Sequence, residues 1–117
     1  MDMIASLDAF FAGKPEQWAL FESLRRAVCC VYPQTQMRIM KTCISLDDPR
    51  PYLYVSFPKK KSEKGLLVTL SMREMMTHPR FAMVVPVSKA RYTVHIPLPD
   101  AGAIDGELLS LIALSHR

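Results

Sequence analysis

The run Tyr52-Leu53-Tyr54-Val55-Ser56-Phe57, the turn Lys59-Lys60-Lys61-Ser62-Glu63-Lys64-Gly65 and the run Leu66-Leu67-Val68-Thr69-Leu70-Ser71-Met72 decide the fold. Leu53, Val55 and Phe57 alternate with Tyr52, Tyr54 and Ser56, and Leu66, Val68, Leu70 and Met72 alternate with Leu67, Thr69 and Ser71. Successive side chains of a strand point to opposite faces, so each run has one apolar and one mixed face. Two antiparallel strands joined by a hairpin follow, with Gly65 as the permissive backbone position at the end of the loop.

Working outward, Met72 to Thr77 predicts a single helical turn halted by Pro79, because the residue before a proline avoids the helical region. Phe81 to Val87 and Arg91 to Leu98 predict a second hairpin around Ser88-Lys89. Its last strand turns Tyr92, Val94, Ile96 and Leu98 to one side and Arg91, Thr93 and His95 to the other. Pro97 removes a ladder donor, which places that strand's end or an edge there. Upstream, the apolar residues between Gln36 and Leu46 keep no strict period and predict one strand with a bulge or bend. Asp47-Asp48-Pro49-Arg50-Pro51 is a turn by composition.

The flanks are helical. Ser6 is an N-cap candidate before Leu7 to Ala12, and Gly13 suits the left-handed stop. Pro15 and Glu16 fit the first turn of a second helix whose stripe is Leu20, Phe21, Leu24, Ala27, Val28 and Val31. Glu22 and Arg26 are spaced for a surface pair, and Pro33 ends the helix. Asp105 starts a last helix with Leu108, Leu109 and Ile112 as its apolar face. The order predicts a single α+β domain over residues 1–117. Its mainly antiparallel, meandering sheet has about five strands, with helices at both ends of the chain.

The totals agree with one domain. The 117 residues are 50% apolar and 22% charged, the profile of a globular chain large enough to bury a core. The N-terminus carries an acid where a secretory signal carries basic residues, and no apolar run spans a bilayer, so a cytoplasmic protein with no membrane association is expected. Three cysteines argue against a disulfide framework. Cys29 and Cys30 diverge by about 100° on a helix. Cys43, His78, His95 and His116 show no paired zinc spacing, so neither metal nor cofactor is expected. Charge is segregated: residues 59–92 carry eight basic and two acidic side chains, while residues 1–58 carry six of each. Such a field attracts phosphates or acidic partners, and lysines at a hairpin tip also keep a sheet soluble.

Phe10-Phe11-Ala12-Gly13-Lys14-Pro15-Glu16, Leu20-Phe21-Glu22-Ser23-Leu24-Arg25, Tyr92-Thr93-Val94-His95-Ile96 and Ile104-Asp105-Gly106-Glu107-Leu108-Leu109 together resemble a bacterial family, domain of unknown function 5655, sometimes labelled a predicted transport protein. The resemblance covers nearly the whole chain, although Ala113-Leu114-Ser115-His116-Arg117 departs from the alanine-tyrosine pair usual there. The family is similar to small YdhG-like domains, an α-β-α arrangement also likened to secretion chaperones. That implies a sheet between terminal helices and no established enzymatic activity.

If the aliphatic residues turn inward, Tyr52, Tyr54, Ser56, Thr69, Ser71, Arg91, Thr93 and His95 share the other face, with Lys41 nearby. Hydroxyls and aromatics on a rigid sheet suit recognition. No acid lies in these strands to orient a catalytic histidine, so no catalytic residue is assigned. Met72, Met75, Met76 and Met83 offer an adaptable surface or fill gaps in a core. The favoured reading is a non-catalytic module that binds an unknown protein or small-molecule partner, with a homodimer among its expected forms. The alternative is a nucleic-acid-binding protein using the basic patch Lys59, Lys60, Lys61 and Lys64 beside Tyr52 and Tyr54. The third is a small hydrolase using His95 with Ser56 or Ser71.

Overall fold

In the computed structural model, which describes residues 3–60 and 64–117, helices α1 (Met3–Phe10) and α2 (Pro15–Val31) precede six strands. These are β1 (Gln36–Ile39), β2 (Ile44–Asp47), β3 (Pro51–Ser56), β4 (Leu66–Met72), β5 (Met83–Ser88) and β6 (Arg91–Leu98). A 3-10 turn at Ala101–Ala103 leads to α3 (Gly106–His116). The predicted α+β class and antiparallel sheet stand, with six strands in place of about five. Gln36 to Leu46 is not one bent strand. It is a hairpin, β1 paired with β2 from Gln36↔Asp47 to Ile39↔Ile44, closed where the Met40 N–H donates to the Cys43 carbonyl at 2.9 Å. The irregular apolar spacing there came from the reversal of the chain.

The sheet order is β1-β2-β3-β4-β6-β5, so the last three strands do not follow the expected local meander. β6 inserts beside β4 over seven residue pairs, from Leu66↔Leu98 to Met72↔Tyr92, and β5 lies outside it. Burial explains the exchange. Val94, Ile96 and Leu98 of β6 are fully buried and belong inside the sheet, whereas β5 carries exposed Met83, Val85 and Val87 with Pro86, which suits an edge. Met72 to Thr77 is likewise not a helical turn. Met72 is the buried end of β4, and the connection to β5 is held by side chains. Arg80 donates to Asp105 Oδ1 at 2.8 Å and to the Ala103 carbonyl at 2.7 Å.

Leu53, Val55, Val68, Leu70, Val94 and Ile96 meet Phe21, Leu24 and Val28 of α2 and Leu108 and Ile112 of α3 in one core. Phe11 stacks on Trp18 with centroids 5.9 Å apart and meets the edge of Phe57 at 5.7 Å, which fastens α1 to the end of β3. Val31, placed on the α2 stripe by periodicity, is 53% exposed because it lies at the helix end beyond the sheet. Glu22 pairs with Arg25 at 3.5 Å, not with Arg26. α1 begins at Met3, so Ser6 falls inside it and does not cap it. At α3 the expected cap forms: the Asp105 carboxylate accepts from the Leu108 N–H at 2.9 Å. The N–H group and the Arg80 guanidinium together hold that carboxyl below its ordinary value.

Candidate functional site

With the core cluster on one face, the sheet register builds a continuous row across the other: Arg38, Ser45, Tyr54, Thr69, His95 and Met83, one from each strand. A second row runs Ser71, Thr93, Val85, and a third Ser56, Leu67, Pro97. Tyr54, Ser56, Thr69, Ser71, Thr93 and His95 are half-buried and Arg91 is exposed. Their strand neighbours shade them, while among the described residues the helices pack into the core on the opposite face.

Tyr52 is not on this face. The β2–β3 register shifts between Leu46↔Leu53 and Asp47↔Pro51, and the extra residue is Tyr52. A bulge sets two residues against one and turns the side chain out of alternation. Tyr52 is therefore 2% exposed, with its ring 5.4 Å from Tyr32 and its hydroxyl 2.7 Å from Thr35 Oγ1. Burial pushes its phenol up to about 12, against the opposing effect of the Thr35 hydrogen bond.

His95 Nδ1 lies 2.9 Å from Thr69 Oγ1, and among the described residues no carboxylate contacts the ring. Burial, then the charge of Lys59, lowers its proton affinity. Neither serine proposed as its partner is opposite it. Ser71 sits diagonally along β4, and Ser56 is in another row two strands away. The Cys43 thiol is pushed up by burial more than Arg38 lowers it, the opposite of an activated thiolate. A polar cluster that sequence did not reveal lies at the β1–β2 end of the face: Ser45, fully buried, donates to Asp47 Oδ1 at 2.5 Å, and the half-exposed Arg38 pairs through Nε with Asp47 Oδ2 at 2.5 Å.

Of the basic patch, Lys59, Lys60 and Lys64 are exposed, and Lys61 lies outside the described residues, as do Ser62 and Glu63. Lys14 Nζ stands 5.0 Å over the Phe57 ring. An open cleft of about 700 Å³ separates the start of α2 from the end of this hairpin, lined by Lys14, Glu16, Ser23, Lys64 and Asp100 among others. Gln17 crosses its floor to the Gly65 carbonyl at 2.7 Å. A smaller recess of about 40 Å³ brings Tyr52, Ser71 and Arg91 together with Arg50, Arg73, Ser115 and Arg117. No spacing in the sequence signals that assembly, because its parts come from four separate segments.

Among the described residues, no three His, Cys, Asp or Glu side chains gather so as to hold a metal ion, and no helix is long and apolar enough to cross a membrane. No curated protein and no solved structure matches the chain. One family model does, over residues 7–117, which spans the second half of α1 to the end of α3 and includes every strand of the sheet. The chain belongs to the family described as domain of unknown function (DUF5655).

Proposed function

We propose that this domain is a non-catalytic protein-binding module whose partner is a second copy of itself, docked through the open face of the sheet. The supporting observation is the unequal covering of the two faces. One packs against the helices, while the other ends in an edge strand whose Met83 and Val85 are 49 and 38% exposed. Apolar side chains grouped on an uncovered face favour association.

A two-fold contact sets the same patch against itself. With two β5 faces crossing antiparallel near Val85, the basic hairpin ends at Lys89 fall on opposite sides, about 26 Å apart at roughly 3.3 Å per residue. That exceeds the screening length of about 8 Å at physiological salt, so like charge does not oppose the contact. Six strands about 4.8 Å apart and some five residues long present a face of the order of 500 Å² in projection, comparable with one side of a standard interface. Catalysis lacks support, since His95 has only a hydroxyl partner among the described residues and no aligned serine.

Sedimentation equilibrium from micromolar to millimolar protein tests this reading. A reversible dimer is expected, and Val85→Glu, at a position that tolerates charge in the monomer, weakens it by at least about tenfold because the contact then buries an unpaired carboxylate. A wild type that stays monomeric throughout overturns the reading, and a dimer indifferent to Val85→Glu moves the interface off this face.

A further inference from the structure

The beginning of β3, the end of β4 and the beginning of β6 meet the C-terminus of α3 at the recess of about 40 Å³. Four arginines from four segments line it. Arg50 comes from the β2–β3 turn, Arg73 follows β4, Arg91 opens β6 and Arg117 follows α3. No aspartate or glutamate is among the lining residues. The carboxylate of Asp48, two residues before Arg50, is occupied by His116 Nε2 at 2.9 Å.

A purely structural role accounts for part of this arrangement. Arg50 and Arg73 each donate one N–H to the backbone oxygen of Arg117, at 2.8 and 2.6 Å, and so close the end of α3, where the helix dipole is negative. Two things remain unexplained. A guanidinium has five N–H donors in a rigid fork, so most donors of these two arginines are unused by the helix end. The Arg91 side chain, moreover, has no hydrogen-bond or ion-pair partner among the described residues, and yet it lines the same recess.

We propose that this recess binds a single phosphate group, either free phosphate or the terminal group of a small phosphate monoester. Its volume is roughly three times what one water requires, which accommodates one oxyanion and excludes a nucleoside. Guanidinium forks supplied by four separate segments suit a tetrahedral dianion better than a planar carboxylate, which one fork already saturates. The floor is rigid. The Ser115 hydroxyl is held by two backbone groups, and His116 stacks on Tyr32 with centroids 3.7 Å apart. Ser71 and Arg91 lie at the margin of the face proposed for self-association, in and beside the row of Val85, so phosphate binding is read on Val85→Glu protein, in which that contact is removed.

The test is titration of ¹⁵N-labelled protein with inorganic phosphate and with glycerol phosphate, against acetate and chloride at equal ionic strength. Saturable shifts at the Ser71, Arg91 and Ser115 amides are expected with both phosphates. Tighter binding of the ester identifies it as the ligand form, and equal binding identifies phosphate alone. Arg91→Ala weakens binding by at least about tenfold, the loss of a charge-assisted hydrogen bond. Arg117→Ala weakens it too and keeps the backbone oxygen that Arg50 and Arg73 hold, so α3 stays capped. Lys89→Ala, two residues from Arg91, leaves the affinity unchanged. Equal shifts with acetate or chloride, shifts centred on the α2 cleft, or an equal loss in Lys89→Ala overturns the site.

Discussion

The Ser71 N–H and the Tyr52 carbonyl, one on each side of the β3–β4 seam, are joined through a helix. The Ser115 hydroxyl accepts from Ser71 at 3.0 Å and donates to Tyr52 at 2.6 Å. Pairing between the two strands runs from Ser56↔Leu67 only to Tyr54↔Thr69. Past that point the bulge at Tyr52 parts them and α3 supplies the missing ladder bond. Ser115→Ala leaves two half-buried backbone groups unpaired, at about 1–3 kcal/mol each when water cannot reach them. A loss of about 2 kcal/mol or more in urea unfolding is expected, and a loss under 0.5 kcal/mol means that water substitutes.

Gly65 has φ of +84°, and a Cβ built there meets the Leu98 carbonyl oxygen and comes within 2.7 Å of Pro99 Cα. Both are backbone atoms of the chain end of β6 and cannot swing aside. Gly65→Ala is expected to cost more than the roughly 1 kcal/mol of a left-handed non-glycine alone. Gly13→Ala, also at positive φ but with open space around it, is expected to cost only that amount. Equal destabilisation of the two variants in thermal unfolding contradicts the steric argument.

Tyr52 is one of four tyrosines, and burial raises its phenol to about 12. Phenolate absorbance on raising the pH is expected to show one tyrosine titrating last. Because the folded value exceeds the ordinary 10.0, the folded state holds the proton longer. The associated stability is complete below pH 10 and declines as the pH rises from there through about 12. Tyr52→Phe removes the late step and the Thr35 bond, at about 1 kcal/mol.

His95 shifts the other way, below 6.5, mainly by burial and secondarily by Lys59. The folded state favours the neutral ring, so this stability is complete above pH 6.5 and is lost as the pH falls through the folded value. NMR titration is expected to place His95 below 6.5. Lys59→Gln raises it slightly without restoring the ordinary value, since burial remains. Full restoration would make charge the main cause.

The α+β class, the two long helices, the central hairpin and the Asp105 cap were legible because each is local. A stripe at helical period, an alternation or a capping carboxylate is complete within a dozen residues. Tyr54, Thr69, Thr93 and His95 were placed on one face for the same reason. Tyr52 was misplaced, because a bulge is set by the register of β2 and leaves no mark in the alternation of β3. The hairpin at Met40 to Cys43 lacks a glycine or proline signal, and its two short strands read as one.

By itself the sequence determined which residues are apolar, where the chain turns and which faces the strands carry, since those follow from side-chain chemistry and the two fixed periods of the backbone. Only the tertiary structure decided that β6 lies between β4 and β5. Burying Val94, Ile96 and Leu98 on the inner side demands an interior strand, a comparison of burial among whole strands that no single segment contains. The same holds for the arginine recess. Arg50, Arg73, Arg91 and Arg117 are strangers along the chain, and they become neighbours because the bulge, the parted seam and the end of α3 coincide at one corner of the sheet.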